Sequence, residues 1–211
     1  MKKLVLFDLD GVIVDTKEVH YEALNDAISA FDPKYIITEQ EHVARYDGLK
    51  TRTKLNMLSE EKGLPYTAHQ QIYDQKQETT IQRFSQIPQN ERMREIFKTL
   101  REDGYMVACC TNCIRRTALV ALAKVGVIEY LDVIMTNDDV KNPKPNSEMY
   151  LKCMIKAEVN PSETVIVEDS HIGRKAAISS GAYLCAVEDC EDVSYDKIKR
   201  TIDLANEKEE V

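Results

Sequence analysis

No apolar run in these 211 residues approaches the length of a membrane span. Two lysines open the chain, but Asp8 and Asp10 interrupt the apolar stretch behind them too early for a secretory signal. A cytoplasmic protein with no membrane partner is expected. A basic excess is also missing: 28 Lys and Arg stand against 36 Asp and Glu, a formal net charge of −8. A general nucleic-acid binder needs the opposite balance, and an anionic substrate here needs a local basic patch. Cys110-Thr111-Asn112-Cys113 has the spacing of a redox or zinc pair, yet no second CxxC or His pair completes a zinc site. A reduced compartment gives no disulfide framework either, so the six cysteines read as small core residues. Internal repeats and low-complexity tracts are absent. No apolar stripe asks for a second copy, and a monomer is expected.

What is present has two textures. From Gly104 onward, short apolar runs alternate with helical patterns. Strands are predicted at 105–110, 132–136, 164–167 and 182–187, and helices at 114–125, 147–157, 172–180 and 193–207. Residues 4–7 share that texture as a strand, and 91–101 as a helix. Strict alternation argues for a parallel sheet covered on both faces. Residues 17–85 hold no convincing strand and read as helices at 18–31, 51–62 and 67–84, with breaks near Asp32-Pro33, Gly48 and Gly63-Leu64-Pro65. The predicted fold is therefore α/β. A Rossmann-like parallel-sheet core, residues 1–16 and 86–211, carries an inserted all-helical cap, residues 17–85. Thr16 and Ser85 lie near the two crossings and are hinge candidates.

The first strand ends abruptly in Asp8-Leu9-Asp10-Gly11. Carboxylates cost several kcal/mol to bury unpaired, so this is poor sequence for a core and good sequence for a site. Strand alternation puts Asp8 and Asp10 on one side. Two like charges held close ask for a cation, a protonated partner, or both. Ligands in an open parallel sheet sit beyond the carboxyl ends of the strands, and three further strand ends are polar. They offer Thr111 and Asn112, then Lys144 between Pro143 and Pro145, then Glu168, Asp169 and Ser170 ahead of Gly173. These residue types fit phosphoryl transfer: a carboxylate attacks phosphorus, a hard cation bridges carboxylate and phosphate, and Lys144 supplies a point charge. The Thr111 hydroxyl and the amides near Leu9–Gly11 and Asn112 can add hydrogen bonds. Taken singly, Thr111-Asn112 is a helix cap and Lys144 a solvated charge.

Together, FDLDG, Thr111-Asn112, Lys144-Pro145 and Glu168-Asp169-Ser170 with Gly173 resemble the four motifs, in order, of the haloacid dehalogenase-like superfamily. The resemblance covers essentially the whole chain and implies an aspartyl-phosphate enzyme. Asp8 is then the nucleophile and a Mg²⁺ ligand. Asp10 is general acid and base, with its carbonyl facing the metal. Thr111, Asn112 and Lys144 grip the phosphate; Asp169 binds the metal directly, and Glu168 shares or supports that role. Asp10 and Asp169 count against dehalogenase activity, and Asp10 against phosphonate cleavage. The stretch 46–52 is similar to the family's substrate-contacting cap loop, which makes Gly48, Lys50 and Arg52 substrate candidates. His20 and Lys76 fall where the phosphoglucomutase-like branch places polar cap or hinge residues. The expected activity is Mg²⁺-dependent hydrolysis of a small phosphorylated metabolite, a sugar or polyol phosphate. A β-phosphoglucomutase-like mutase is the alternative, and a non-catalytic phosphate-binding protein a third.

Overall fold

Leu4–Phe7, four apolar residues with buried side chains, form β1, the middle strand of the sheet in the computed structural model. The structure describes residues 1–47 and 49–207. The chain divides into two compact units: Met1–Asp15 with the chain from Pro88 onward, and Thr16–Ile87. Among the described residues no helix is long and apolar enough to cross a membrane.

The Thr16–Ile87 unit holds α1 (Lys17–Phe31), α2 (Glu39–Glu41), α3 (Thr51–Lys62) and α4 (His69–Phe84). The stretch before α3, unassigned from sequence, starts with a capping box. Thr38 Oγ1 accepts from the Glu41 N–H at 3.1 Å, and the Glu41 carboxylate accepts from the Thr38 N–H at 2.7 Å. A single π turn, His42–Tyr46, continues α2 and turns His42 and Tyr46 inward. Leu24, Ile28, Ile37, Tyr46, Leu55, Leu58 and Ile72 then close a core belonging to this unit alone. Thr16 is the N-cap residue of α1 and Ser85 the C-cap residue of α4.

Lys54 Nζ lies 3.4 Å from His42 Nε2, both side chains buried. An ammonium can only donate, so Nε2 accepts and the imidazole is neutral. Burial first, then the Lys54 charge, pulls the His42 pKa from 6.5 to about 4. Because the folded value lies below the unfolded one, this stabilisation is complete above about pH 6.5 and is lost as pH falls toward about 4. The loss amounts to as much as about 3 kcal/mol. Thermal unfolding from pH 7 to 4 should therefore show the parent losing more stability than His42→Gln, whose amide accepts without titrating. Parallel curves for the two would contradict the assignment.

The other unit alternates strand and helix. After α5 (Glu91–Glu102) come β2 (Met106–Cys110), α6 (Arg115–Val125), β3 (Val133–Met135) and α7 (Glu148–Lys156). Then follow β4 (Thr164–Glu168), α8 (His171–Ser179), β5 (Tyr183–Ala186) and α9 (Tyr195–Glu207). All strand pairs are parallel, in the order β3-β2-β1-β4-β5, with Leu6 opposite Ala108 on one side and Ile166 on the other. Alternation sends Leu4 and Leu6 into the layer of α7 and α8, with Met149, Tyr150, Cys153, Ala176 and Ala177. Phe7 faces the other way, its ring centroid 4.5 Å from that of Phe97 on α5. This is the expected α/β architecture. The strand order reverses between β1 and β4, so their carboxyl ends flank the switch point where open sheets bind ligands.

Candidate active site

The strand periodicity stops at Phe7, and the two aspartates are carried by a turn instead of a pleat. The Leu9 carbonyl accepts from the Ile13 and Val14 N–H groups, and the Gly11 N–H donates to the Val14 carbonyl. Leu9 drops into the core, Asp8 stays buried beside β4, and Asp10 is half-buried. Gly11 has φ +80°, and a Cβ there would overlap the Asp169 carboxylate. A glycine is required on both counts.

Asp8, Glu168 and Asp169 each present a carboxylate oxygen within 4.8 Å of the others. Lys144 Nζ stands between two of them, 2.8 Å from Asp8 Oδ1 and 2.7 Å from Glu168 Oε1. Burial, then the Glu168 charge, pushes the Asp8 carboxyl well above the usual carboxylate range against the pull of Lys144. The two carboxylates hold the Lys144 ammonium well above its usual range despite burial. A hard divalent cation such as Mg²⁺ suits this all-oxygen donor set and would offset the acidic excess.

Lys144 is fixed from three directions. Asn112 Oδ1 accepts from its backbone N–H at 3.1 Å, and Asn112 Nδ2 donates to its carbonyl at 3.2 Å. The Glu148 carboxylate, at the start of α7, accepts from the Lys141 and Asn142 N–H groups of the same loop at 3.0 and 2.8 Å. Lys152 and these two amides pull its pKa to about 2. The Tyr150 ring lies under Lys144 Nζ at 4.9 Å. Asn112 was expected at the phosphate, but its side chain is committed to Lys144, which leaves its main-chain N–H for an anion. The Thr111 hydroxyl is buried and accepts from the Cys113 N–H at 3.0 Å, keeping its proton available.

Tyr150 was not singled out from sequence, since an aromatic at helical spacing reads as core. Its hydroxyl donates to Glu168 Oε1 at 2.8 Å, while the Ser170 N–H and hydroxyl donate to Oε2, each at 3.1 Å. With Lys144, the Glu168 carboxylate accepts four hydrogen bonds. Tyr150→Phe keeps the ring under Lys144 and removes one of these bonds. Denaturant unfolding should show a loss of about 1–2 kcal/mol; an unchanged midpoint would contradict the contact.

Gly173, in the first turn of α8, has the tightest surroundings among the described glycines. A Cβ there would overlap Glu168 Oε1 and Cδ, and the Ser170 hydroxyl accepts from its N–H at 3.1 Å. Glu168, held by four donors, has no room to retreat. Gly173→Ala should cost about 1–3 kcal/mol in thermal unfolding by overpacking. It should lower turnover at least tenfold by displacing Glu168. Parental stability and activity would overturn this reading.

The remaining candidates lie in the helical unit. Lys76 is buried, with Nζ 3.1 Å from His20 Nδ1. Lys50 is half-buried, and burial lowers its pKa. Arg52 is exposed and stacks over the Tyr73 ring at 4.5 Å, with Nη2 donating to Gln70 Oε1 at 3.3 Å. Gly48 lies outside the described residues.

The sequence profile of the haloacid dehalogenase-like hydrolase family matches residues 5–187. The chain belongs to this family. It is thus an enzyme, of the phosphatase kind by the named reactions of its relatives. A relative from Thermotoga maritima, named phosphorylated carbohydrates phosphatase, is 30% identical over 84% of this chain and 81% of its own length. The pyrophosphatase PpaX of Halalkalibacterium halodurans is 29% identical over 79% of this chain and 74% of its own. In fold, the chain follows the β-phosphoglucomutase of Clostridium difficile with a TM-score of 0.85 over 100% of both chains, at 19% identity.

Proposed function

We propose that the protein is a Mg²⁺-dependent phosphatase that hydrolyses a small phosphorylated metabolite through an aspartyl phosphate on Asp8. One observation carries the reading: Lys144 Nζ bridges Asp8 and Glu168 beside Asp169, so a buried carboxylate, a fixed cation and an oxygen donor set meet at the sheet's switch point. Asp8 Oδ1 is bound to Lys144, which restrains its repulsion from an incoming phosphate, and the other oxygen attacks phosphorus. Asp10 protonates the leaving oxygen and later takes a proton from water. Lys144, the Thr111 hydroxyl and the Asn112 main-chain N–H stabilise the equatorial oxygens. Asp8, Asp169 and the Asp10 carbonyl would hold a Mg²⁺ ion, which would supply charge neutralisation to the phosphate. Glu168 is saturated by four donors, which favours a supporting role.

The helical unit serves as the cap, with His20, Lys50, Arg52 and Lys76 offered to the substrate. A sugar or polyol phosphate is the substrate class, supported by the carbohydrate-phosphate phosphatase among the relatives. Phosphate release from a panel of phosphate esters, with Mg²⁺ and after chelation, tests this, with every product identified. Release that stops on chelation and returns with Mg²⁺ is expected. Isomerised sugar phosphate from β-glucose 1-phosphate, without free phosphate, would assign a mutase instead.

A further inference from the structure

The loop that presents Lys144 buries that lysine between exposed neighbours. Lys141, Asn142, Pro145 and Asn146 are all exposed, so hydrogen bonds more than packing must hold its shape. Glu148, in the first turn of α7, reaches both flanks of the lysine. Ahead of it, Glu148 Oε1 accepts from the Lys141 N–H at 3.0 Å. Oε2 accepts from the Asn142 N–H at 2.8 Å and from Asn142 Nδ2 at 3.0 Å. Beyond it, the Glu148 N–H donates to Asn146 Oδ1 at 2.9 Å. Lys152, one turn along α7 with Nζ 2.9 Å from Oε1, is foremost in pulling the carboxyl pKa to about 2. The group is therefore ionised at any working pH. The same helix carries Tyr150, which meets both Lys144 Nζ and Glu168 Oε1. A lysine ammonium rides on a flexible four-carbon stem, so its placement depends on how firmly its own backbone is anchored.

We propose that Glu148 is a positioning residue for Lys144, tying both flanks of the lysine's loop to α7 so that Nζ stands between Asp8 and Glu168. The inference rests on the reading of Lys144 as a phosphate grip. Glutamine at 148 keeps the shape but loses half of the hold. One of its two ends becomes a donor and faces an N–H group in place of an acceptor.

The test is a double-mutant cycle on the best phosphate ester of the panel, with Mg²⁺ and well below every melting transition. Glu148→Gln should lower turnover about tenfold, the scale of a modest misplacement of a group at the reacting centre. The loss should fall in kcat, with KM moving less than about threefold. In the Lys144→Met background the same substitution should cost less than about twofold, because the group it positions is gone. Lys152→Met removes the ion pair and leaves the loop bonds, and should cost less than about twofold by itself. No loss in Glu148→Gln, or the same fold-loss in both backgrounds, would overturn the positioning role. So would a loss confined to KM, or a loss in Lys152→Met equal to that in Glu148→Gln. If Lys144→Met is crippled and the cycle is additive, only the role of Glu148 fails. If Lys144→Met keeps full turnover, the phosphate-grip reading falls and the role of Glu148 with it.

Discussion

Asp8→Asn is expected to lose turnover by about 10⁵-fold or more, as loss of a covalent nucleophile does, while folding normally. The amide occupies the same space but cannot attack phosphorus at a useful rate. Stability should move the other way in the absence of metal. Burial and the neighbouring Glu168 carboxylate raise the Asp8 pKa in the folded protein. A raised carboxyl pKa means the protonated group suits the fold, and that stability is lost as pH rises through the folded value. The amide escapes this penalty. Metal-free Asp8→Asn should therefore melt at or above its parent at neutral pH, with the gap closing as pH falls. Added Mg²⁺ should raise the parent's melting temperature more than the variant's, because a ligand stabilises only the state that binds it. A variant that retains a tenth of parental activity would remove Asp8 from the chemistry.

Lys144→Met is the second large effect. Methionine fills a similar volume without charge, so Asp8 Oδ1 and Glu168 Oε1 lose the ammonium that stands 2.8 and 2.7 Å from them. Removing one partner of a buried pair typically costs about 3–5 kcal/mol, because an uncompensated charge stays behind. Here two carboxylates stay behind. Turnover should fall on the order of 10²–10³-fold, the scale of losing a preorganised group aimed at developing charge. Saturating Mg²⁺ should recover part of the stability and little of the activity, since Lys144 is assigned to a phosphate oxygen as well as to Asp8. Denaturant unfolding with and without Mg²⁺ separates the two losses. Full activity in Lys144→Met at high Mg²⁺ would reduce Lys144 to a charge filler.

Much of this arrangement is legible in the sequence because it is written in strand ends. An apolar run that stops at Phe7, Cys110 or Val167 and turns polar marks where a parallel strand leaves the sheet. Parallel strands all leave at the same edge, so Asp8, Thr111 and Glu168 had to be neighbours. The details that escaped the sequence are of another kind. Tyr150 reaches Glu168 across 18 residues, and Cys113 reaches Asp10 across 103. Neither residue type announces such a contact, since a helical tyrosine and a cysteine near a strand both read as core. The His42–Tyr46 segment, among Glu39, Gln40, Glu41 and Arg45, has too little apolar periodicity to predict, and it is the inward turn of Tyr46 into the helical core that accounts for it. Asn112 shows a subtler limit: its position in the motif points to the site, and only the two hydrogen bonds to Lys144 reveal that its side chain serves the lysine.

The most direct test of the aspartyl-phosphate account is borohydride trapping during turnover, followed by mass spectrometry of the peptide that carries FDLDG. Reduction of an acyl phosphate converts the aspartate to homoserine, so the account predicts that change at Asp8, in turning-over enzyme only, and its absence without substrate. Steady phosphate release with Asp8 unmodified, or with the mark on Asp10, would contradict it.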